Sequence, residues 1–180
     1  QAMKEAEAKI QKKIDERYRY TVEDAVDAIK ENFRPMLAVS FDRHSSRVTY
    51  PCFAQPKLDG IRCIASKKDG KVFLQSRGGK SIDTLEHIED ELNTIMKNGE
   101  ILDGEVYVHG WTFQKIVSAV KKLNHDTKFL EYHVYDLPSE KDLGFFERTG
   151  KLFLITSRGW IDPENFTQID YIIPVETKEI

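Results

Sequence analysis

The sequence predicts an α+β domain, mostly antiparallel sheets with helices packed on them. Three observations predict it. From Pro51 onward the chain reads as short apolar runs broken by turns. Asp69-Gly70 stands between two such runs, which is a hairpin signal. Two further stretches carry apolar residues at helical spacing on one side only.

The elements come in order along the chain. Residues 1–33 read as helical, with Met3, Ala6, Ile10, Ile14 and Tyr18 recurring among lysines and glutamates. The charge run over residues 1–19 reads as a solvated face. Thr21 with Asp24 resembles a capping box opening a second helix, whose apolar face is Val22, Ala25, Val26 and Ile29. Pro35 closes this region, because it cannot continue a helix and restricts the residue before it. Residues 1–34 are thus a helical lead-in and residues 35–180 the main domain. Residues 51–55 form a strand entering a turn, and residues 61–66 and 72–76 the two arms of a hairpin. Asp83 with Glu86 caps a helix carrying Leu85, Ile88, Leu92 and Ile95. After the Asn98-Gly99 turn, residues 100–108 read as a strand or strand pair. Thr112 opens a helix with Phe113, Ile116, Val117, Val120 and Leu123 as its stripe. Residues 130–137, 151–156 and 171–175 read as strands. No internal repeat is present.

Bulk properties narrow the class. The chain has 180 residues, 32% charged and 40% hydrophobic, as in an ordinary globular protein. Its net charge of -3 argues against a generally basic nucleic-acid coat but leaves room for a local basic groove. Cys52 and Cys63 make no disulfide framework, and no Cys/His spacing resembles a zinc site. The five histidines are scattered. No apolar stretch is long enough to span a bilayer, so no membrane partner is expected. The free thiols suggest a reducing interior: cytoplasmic or nucleus-accessible, and the host cell interior if the source is viral.

Four segments carry candidate chemistry. Lys57-Leu58-Asp59-Gly60-Ile61-Arg62 places a lysine and an arginine around a tight turn. A free lysine has a pKa of about 10.4, so it is ammonium at neutral pH. Partial burial and the Arg62 charge would disfavour that ammonium and free an amine able to attack phosphorus. Arg62 lies an odd number of residues from Lys57, so the turn at Gly60 must bring the two to one site. Ser76-Arg77-Gly78-Gly79-Lys80 sets cations in a glycine turn that can meet phosphate. Leu102-Asp103-Gly104-Glu105 ends in acids, and Glu105 can hold a ribose hydroxyl or a divalent metal. Tyr132-His133-Val134-Tyr135-Asp136-Leu137 offers an aromatic to a base, or to the sheet core. Each pattern alone also describes an ordinary turn or strand.

Taken in order, they resemble the covalent nucleotidyltransferase superfamily, and within it the ATP-dependent DNA ligases. Residues 57–62 match its K-x-D-G-x-R motif, Ser76-Arg77-Gly78-Gly79 its S-R-x-G motif, and Asp103-Gly104-Glu105 its D-G-E motif. Tyr135-Asp136-Leu137 stands for F-D-L, with Tyr for Phe. Arg34-Pro35-Met36-Leu37-Ala38 and Phe146-Glu147-Arg148 resemble the flanking segments. The compact spacing is most like that of small viral or phage-type enzymes.

The resemblance implies a nucleotidyltransferase (ATP-grasp-like) adenylation domain. Lys57 would attack the α-phosphorus of ATP, form lysine–AMP, pass AMP to the 5′-phosphate of a nick in double-stranded DNA, and allow sealing. Arg62 and Arg77 would grip the ribose or the nick phosphate, Glu105 the ribose or Mg²⁺, and Tyr135 the adenine. Gln55 falls near the adenine edge, and Leu58 joins the nucleotide contacts. A monomer is expected. Neither the family's E-G-h-h-h-R motif nor its K-x-K motif occurs after Leu152, and no OB-fold domain is seen, so a partial domain is expected. The rivals are an mRNA capping guanylyltransferase, which also uses a K-x-D-G lysine, and a nucleotide- or nucleic-acid-binding module without full activity. The Pro35-Met36-Leu37-Ala38 segment and Glu147-Arg148 favour the ligase over capping, and Asp59 counts against RNA ligases.

Overall fold

The computed structural model describes residues 2–15, 18, 20–22, 33, 35–156, 166–168 and 173–175. Helix α1 (Ala2–Asp15) is followed by a short helix α2 (Phe41–His44), then strands β1 (Cys52–Ala54), β2 (Ile61–Lys68) and β3 (Lys71–Ser76). Helix α3 (Glu86–Ile95), strand β4 (Ile101–Tyr107), helix α4 (Phe113–Lys121) and strand β5 (Glu131–Asp136) come next. Helix α5 (Phe145–Thr156) and the strands β6 (Phe166–Gln168) and β7 (Ile173–Val175) follow, and short 3-10 turns lie at Ser45–Arg47 and Thr127–Phe129.

The strands make a five-stranded sheet in the order β3-β2-β4-β5-β6 and a two-stranded sheet, β1-β7. The central pairs β2-β3, β2-β4 and β4-β5 are antiparallel, as expected. The β5-β6 pair is parallel, and β6 falls where no strand was expected. The β2-β3 hairpin turns on Asp69-Gly70, where φ is 51° and 79°. Positive φ at both turn residues matches the twist of the two strands and suits glycine at the second.

Alternation along the strands sorts the sheet into two faces. Cys63, Ala65, Val72, Leu74, Leu102, Val106, Tyr132 and Val134 share the buried apolar cluster with Ile88, Leu92 and Ile95 of α3 and Ile116, Ala119 and Val120 of α4. Tyr132 is 0% exposed and its one hydroxyl proton is shared between the carbonyls of Cys63 (3.0 Å) and Leu102 (3.2 Å). That bond lets a phenol sit in an apolar core and ties three strands together. The opposite face presents Arg62, Glu105 and His133 in one row, since Arg62 pairs with Glu105 and Glu105 with His133.

Several expectations are corrected. Residues 151–156 are not a strand but the last half of α5. The run Leu152-Phe153-Leu154-Ile155 has strand composition, yet Leu152 and Ile155 are buried while Phe153 and Leu154 are 61% and 64% exposed. Burial three residues apart is helical, and a strand would alternate. The Glu147 carboxylate accepts the Gly144 amide (2.8 Å), half of a capping box that starts the helix upstream of the apolar run. Asp83 does not cap α3. Its carboxylate accepts the Ser81 hydroxyl, and buried Leu85 takes the cap position with no side-chain bond. Thr112 does cap α4, its side chain accepting the Lys115 amide. Phe113 and Leu123 are exposed rather than part of the α4 stripe, and Leu123 lies beyond the end of the helix. The helical spacing at the amino terminus holds over Ala2–Asp15, where Met3 and Ile10 are exposed, and Tyr18 lies beyond the helix. The helix expected from Thr21, with Ala25, Val26 and Ile29, lies outside the described residues apart from Thr21 and Val22, as do Tyr171 and residues 176–180.

Candidate active site

A cavity of about 510 Å³ opens over the polar face of the sheet. Its floor is Arg62 of β2, Asp103 and Glu105 of β4, and Tyr135 and Asp136 of β5. One lip is the turn Gln55-Pro56-Lys57-Leu58, another the start of α5 with Phe145 and Arg148, and a third carries Phe33, Met36 and Ala38. The sheet register produces the floor, because period two places Arg62, Asp103 and Glu105 on the face away from the apolar cluster.

Gly60 sets the lip against the floor. A Cβ there would lie 2.2 Å from the Val106 carbonyl oxygen and 2.9 Å from Glu105 Cγ, so any side chain would push the turn off β4. This close approach brings Lys57 and Arg62 to one cavity, as the spacing required.

Arg62 is committed on two sides. Its Nε donates to Asp103 Oδ1 at 2.6 Å and its NH2 to Asp103 Oδ2 at 2.5 Å. Its guanidinium also lies 5.1 Å from the centre of the Tyr135 ring, at cation–π range. Burial disfavours the Arg62 charge, but the bonds and charge of Asp103 outweigh it and hold the pKa above its usual value. Asp103 is shifted upward by burial, against the pull of Arg62 and with a further push from Asp136. The fork is ionised, because a guanidinium keeps its proton and both carboxylate oxygens accept from it.

Glu105 is also raised, first by burial. Arg62, the Gly60 amide and Lys57 draw it back, and Asp103 pushes it further up. The Tyr135 hydroxyl is raised mainly by burial and by Asp103, so it stays a neutral phenol. The Gln55 amide nitrogen donates to the Tyr135 carbonyl (3.4 Å), which leaves its oxygen as an acceptor at the cavity.

Of the residues singled out from sequence, the cavity brings together Lys57, Gln55, Leu58, Arg62, Glu105 and Tyr135. Arg77 does not join them: it is exposed in the turn after β3, off the cavity wall. Lys57 is exposed rather than partly buried, because it sits on the lip where the turn leaves the sheet. Asp103, Asp136, Phe145 and Arg148 also line the cavity, and sequence reasoning gave them no role. The available signal was an aspartate ending a strand and an arginine early in the next helix, which says nothing about pairing until the chain folds back. Among the described residues, no group of three or more His, Cys, Asp or Glu is arranged to hold a metal ion.

The sequence model of the ATP dependent DNA ligase domain matches residues 35–143. This chain belongs to that family. A DNA ligase of Enterobacteria phage T4 is 34% identical over 86 residues, covering 41% of this chain and 18% of the phage protein. The chain therefore spans only a small part of that relative. Among solved structures, the Chlorella virus DNA ligase-adenylate is 28% identical with a TM-score of 0.55, covering 81% of this chain and 51% of that one. The Pmar-Lig structure superposes with a TM-score of 0.68 at 22% identity over 78% of this chain and 35% of its own, which shows the fold. The ligase-domain fold expected from the motifs is therefore borne out, and the capping-enzyme alternative is not favoured. Among the described residues, no helix is long and apolar enough to cross a membrane.

Proposed function

We propose that this chain is the adenylation domain of an ATP-dependent DNA ligase. Lys57 Nζ, after losing a proton, attacks the α-phosphorus of ATP. The new N–P bond forms as the bond to pyrophosphate breaks. The 5′-phosphate at a nick in double-stranded DNA then takes the AMP, restoring the lysine. The 3′-hydroxyl attacks that activated phosphate, AMP leaves, and the phosphodiester is made. Phosphoryl transfer of this kind depends on positioning and charge neutralisation more than on covalent help from the protein.

The observation that carries the reading is the single cavity joining the Lys57 lip to the Arg62, Glu105 and Tyr135 floor. In it, Tyr135 receives the adenine ring and the Gln55 oxygen meets the exocyclic amine. Leu58 packs against the nucleotide, Glu105 holds the ribose hydroxyls, and the Arg62 fork is kept in place by Asp103. Arg77, off the cavity, meets the nick phosphate. Mg²⁺ fits this donor set only as a shared ion, held by nucleotide phosphates with Glu105 supplying one carboxylate, since Asp103 is spent on Arg62. Such an ion would neutralise phosphate charge. A monomer inside the cell or a viral host suits these roles.

The test is incubation of the full-length protein with Mg²⁺ and labelled ATP or GTP, followed by peptide mapping. AMP on Lys57, stable to base and labile to acid, is the expected product. A label from GTP alone would support capping chemistry, and no label at all would leave a nucleotide-binding module.

A further inference from the structure

Arg148 lines the nucleotide cavity, and a cavity arginine reads first as a phosphate ligand. Its bonds argue otherwise. Nε donates to Asp136 Oδ1 (2.7 Å), NH2 to Asp136 Oδ2 (3.1 Å) and NH1 to the Leu143 carbonyl (2.8 Å). The bond to Asp136 and its charge raise the Arg148 pKa against a smaller opposing effect of burial. Asp136 Oδ1 also accepts the Leu137 amide (2.8 Å), which orients the carboxylate. The charge of Arg148 is thus met within the protein.

These bonds join the last residue of β5 to the first turn of α5 across residues 137–144. Phe145, the first residue of α5, lies on the cavity wall. Its ring is 5.8 Å from the Arg148 guanidinium and 5.8 Å from the ring of Phe53 in β1. Phe53 stands two residues before Gln55 and four before Lys57. Phe145 is therefore wedged between the Asp136–Arg148 fork and the strand that leads into the Lys57 lip.

We propose that Asp136 and Arg148 are positioning residues, a brace that holds Phe145 and the lip in the shape that binds the nucleotide, without touching the reacting phosphates. The proposal rests on the adenylation reading above. The brace acts on affinity for ATP, not on the rate once ATP is bound.

The experiment is single-turnover adenylylation of the full-length protein with ATP varied, read by mass spectrometry. Arg148→Lys keeps the charge but loses the fork, and Asp136→Asn keeps the size but loses the charge. Each is expected to raise half-saturating ATP about tenfold, with the saturated rate within about threefold of wild type. Phe145→Ala is expected to do the same, and Arg148→Lys combined with Phe145→Ala to add nothing further. A fall in saturated rate with unchanged half-saturation would put Arg148 on the phosphates and overturn the brace. Additive effects of the two substitutions would overturn it too. If Arg148→Lys fails to fold, Phe145→Ala decides alone, and unchanged half-saturation refutes the proposal. If the wild-type protein takes no label, the adenylation reading fails. The brace is then judged by equilibrium binding of ATP to the same variants, where equal affinity rejects it.

Discussion

The floor and the lip of the cavity are built differently. The floor is sheet: Arg62, Asp103 and Glu105 come from neighbouring strands, and Asp103 is 3% exposed. Arg62 and Asp103 are locked in a bidentate fork beside the Tyr135 ring. The lip is turn, with Pro56, Lys57 and Asp59 all exposed. The difference teaches that the paired charges and the candidate nucleophile sit on parts of unequal burial. Buried charges on the floor must be paired to be tolerated, so they are rigid by necessity. In the proposed adenylation reading, the side chain that would form and break a bond to phosphate stands on the exposed part.

Substitutions can break this comparison. Lys57→Ala is expected to abolish the covalent label completely while changing stability by less than about 0.5 kcal/mol, as an exposed lip residue should. Peptide mapping and urea melts together check it, and a large stability loss would mean the lip is part of the core. Asp103→Ala reverses the pattern. It strands the Arg62 charge on the floor, and about 3 kcal/mol of stability should be lost along with nucleotide binding. Urea unfolding with intact cooperativity measures this, and a neutral result would show that the fork is not structural.

Tyr132→Phe sharpens the comparison from beneath the floor. It removes the hydroxyl that donates to the Cys63 and Leu102 carbonyls and should cost about 1 to 2 kcal/mol. Labelling per folded molecule should be unchanged, because the ring faces the core. The smallest effect is a pH dependence. Burial raises the Glu105 pKa, and the ionised form is the one that accepts hydroxyl bonds or meets a cation. Nucleotide binding should therefore fall as pH drops, beginning above the usual carboxylate range, and recover as pH rises through the raised pKa. Glu105→Gln should remove this acid limb. For stability the sign is opposite. A raised carboxyl pKa favours the folded state when protonated, and this contribution is lost as pH rises from the unfolded value through the folded one. Glu105→Gln should therefore be no less stable than wild type at neutral pH, by thermal melts.

Much of the fold was legible because its signals are local. The Asp69-Gly70 hairpin, the α3 stripe of Leu85, Ile88, Leu92 and Ile95, and the Thr112 cap depend on residues within a few positions of one another. The run at residues 152–155 misled because its composition suits a strand, whereas its state is set by a capping glutamate upstream and by which side meets the core. Lys57, Leu58, Arg62, Glu105 and Tyr135, which line one cavity, were legible as candidates because they fall in short motifs, and Gln55 because it stands two residues before the first of them. The roles of Asp103 and of the Asp136–Arg148 pair were not, since each exists only through a partner in another element.

The amino-acid order by itself determined the α+β class, the sequence of motifs and the identity of the candidate nucleophile, because turn chemistry and apolar period act over a few residues. Tertiary structure alone decided that Lys57 stands exposed on a lip, that Arg77 lies off the cavity, and that two Arg–Asp forks frame the floor. Those outcomes depend on strand register and on contacts between distant segments, and burial and charge pairing have no value until the chain has closed on itself.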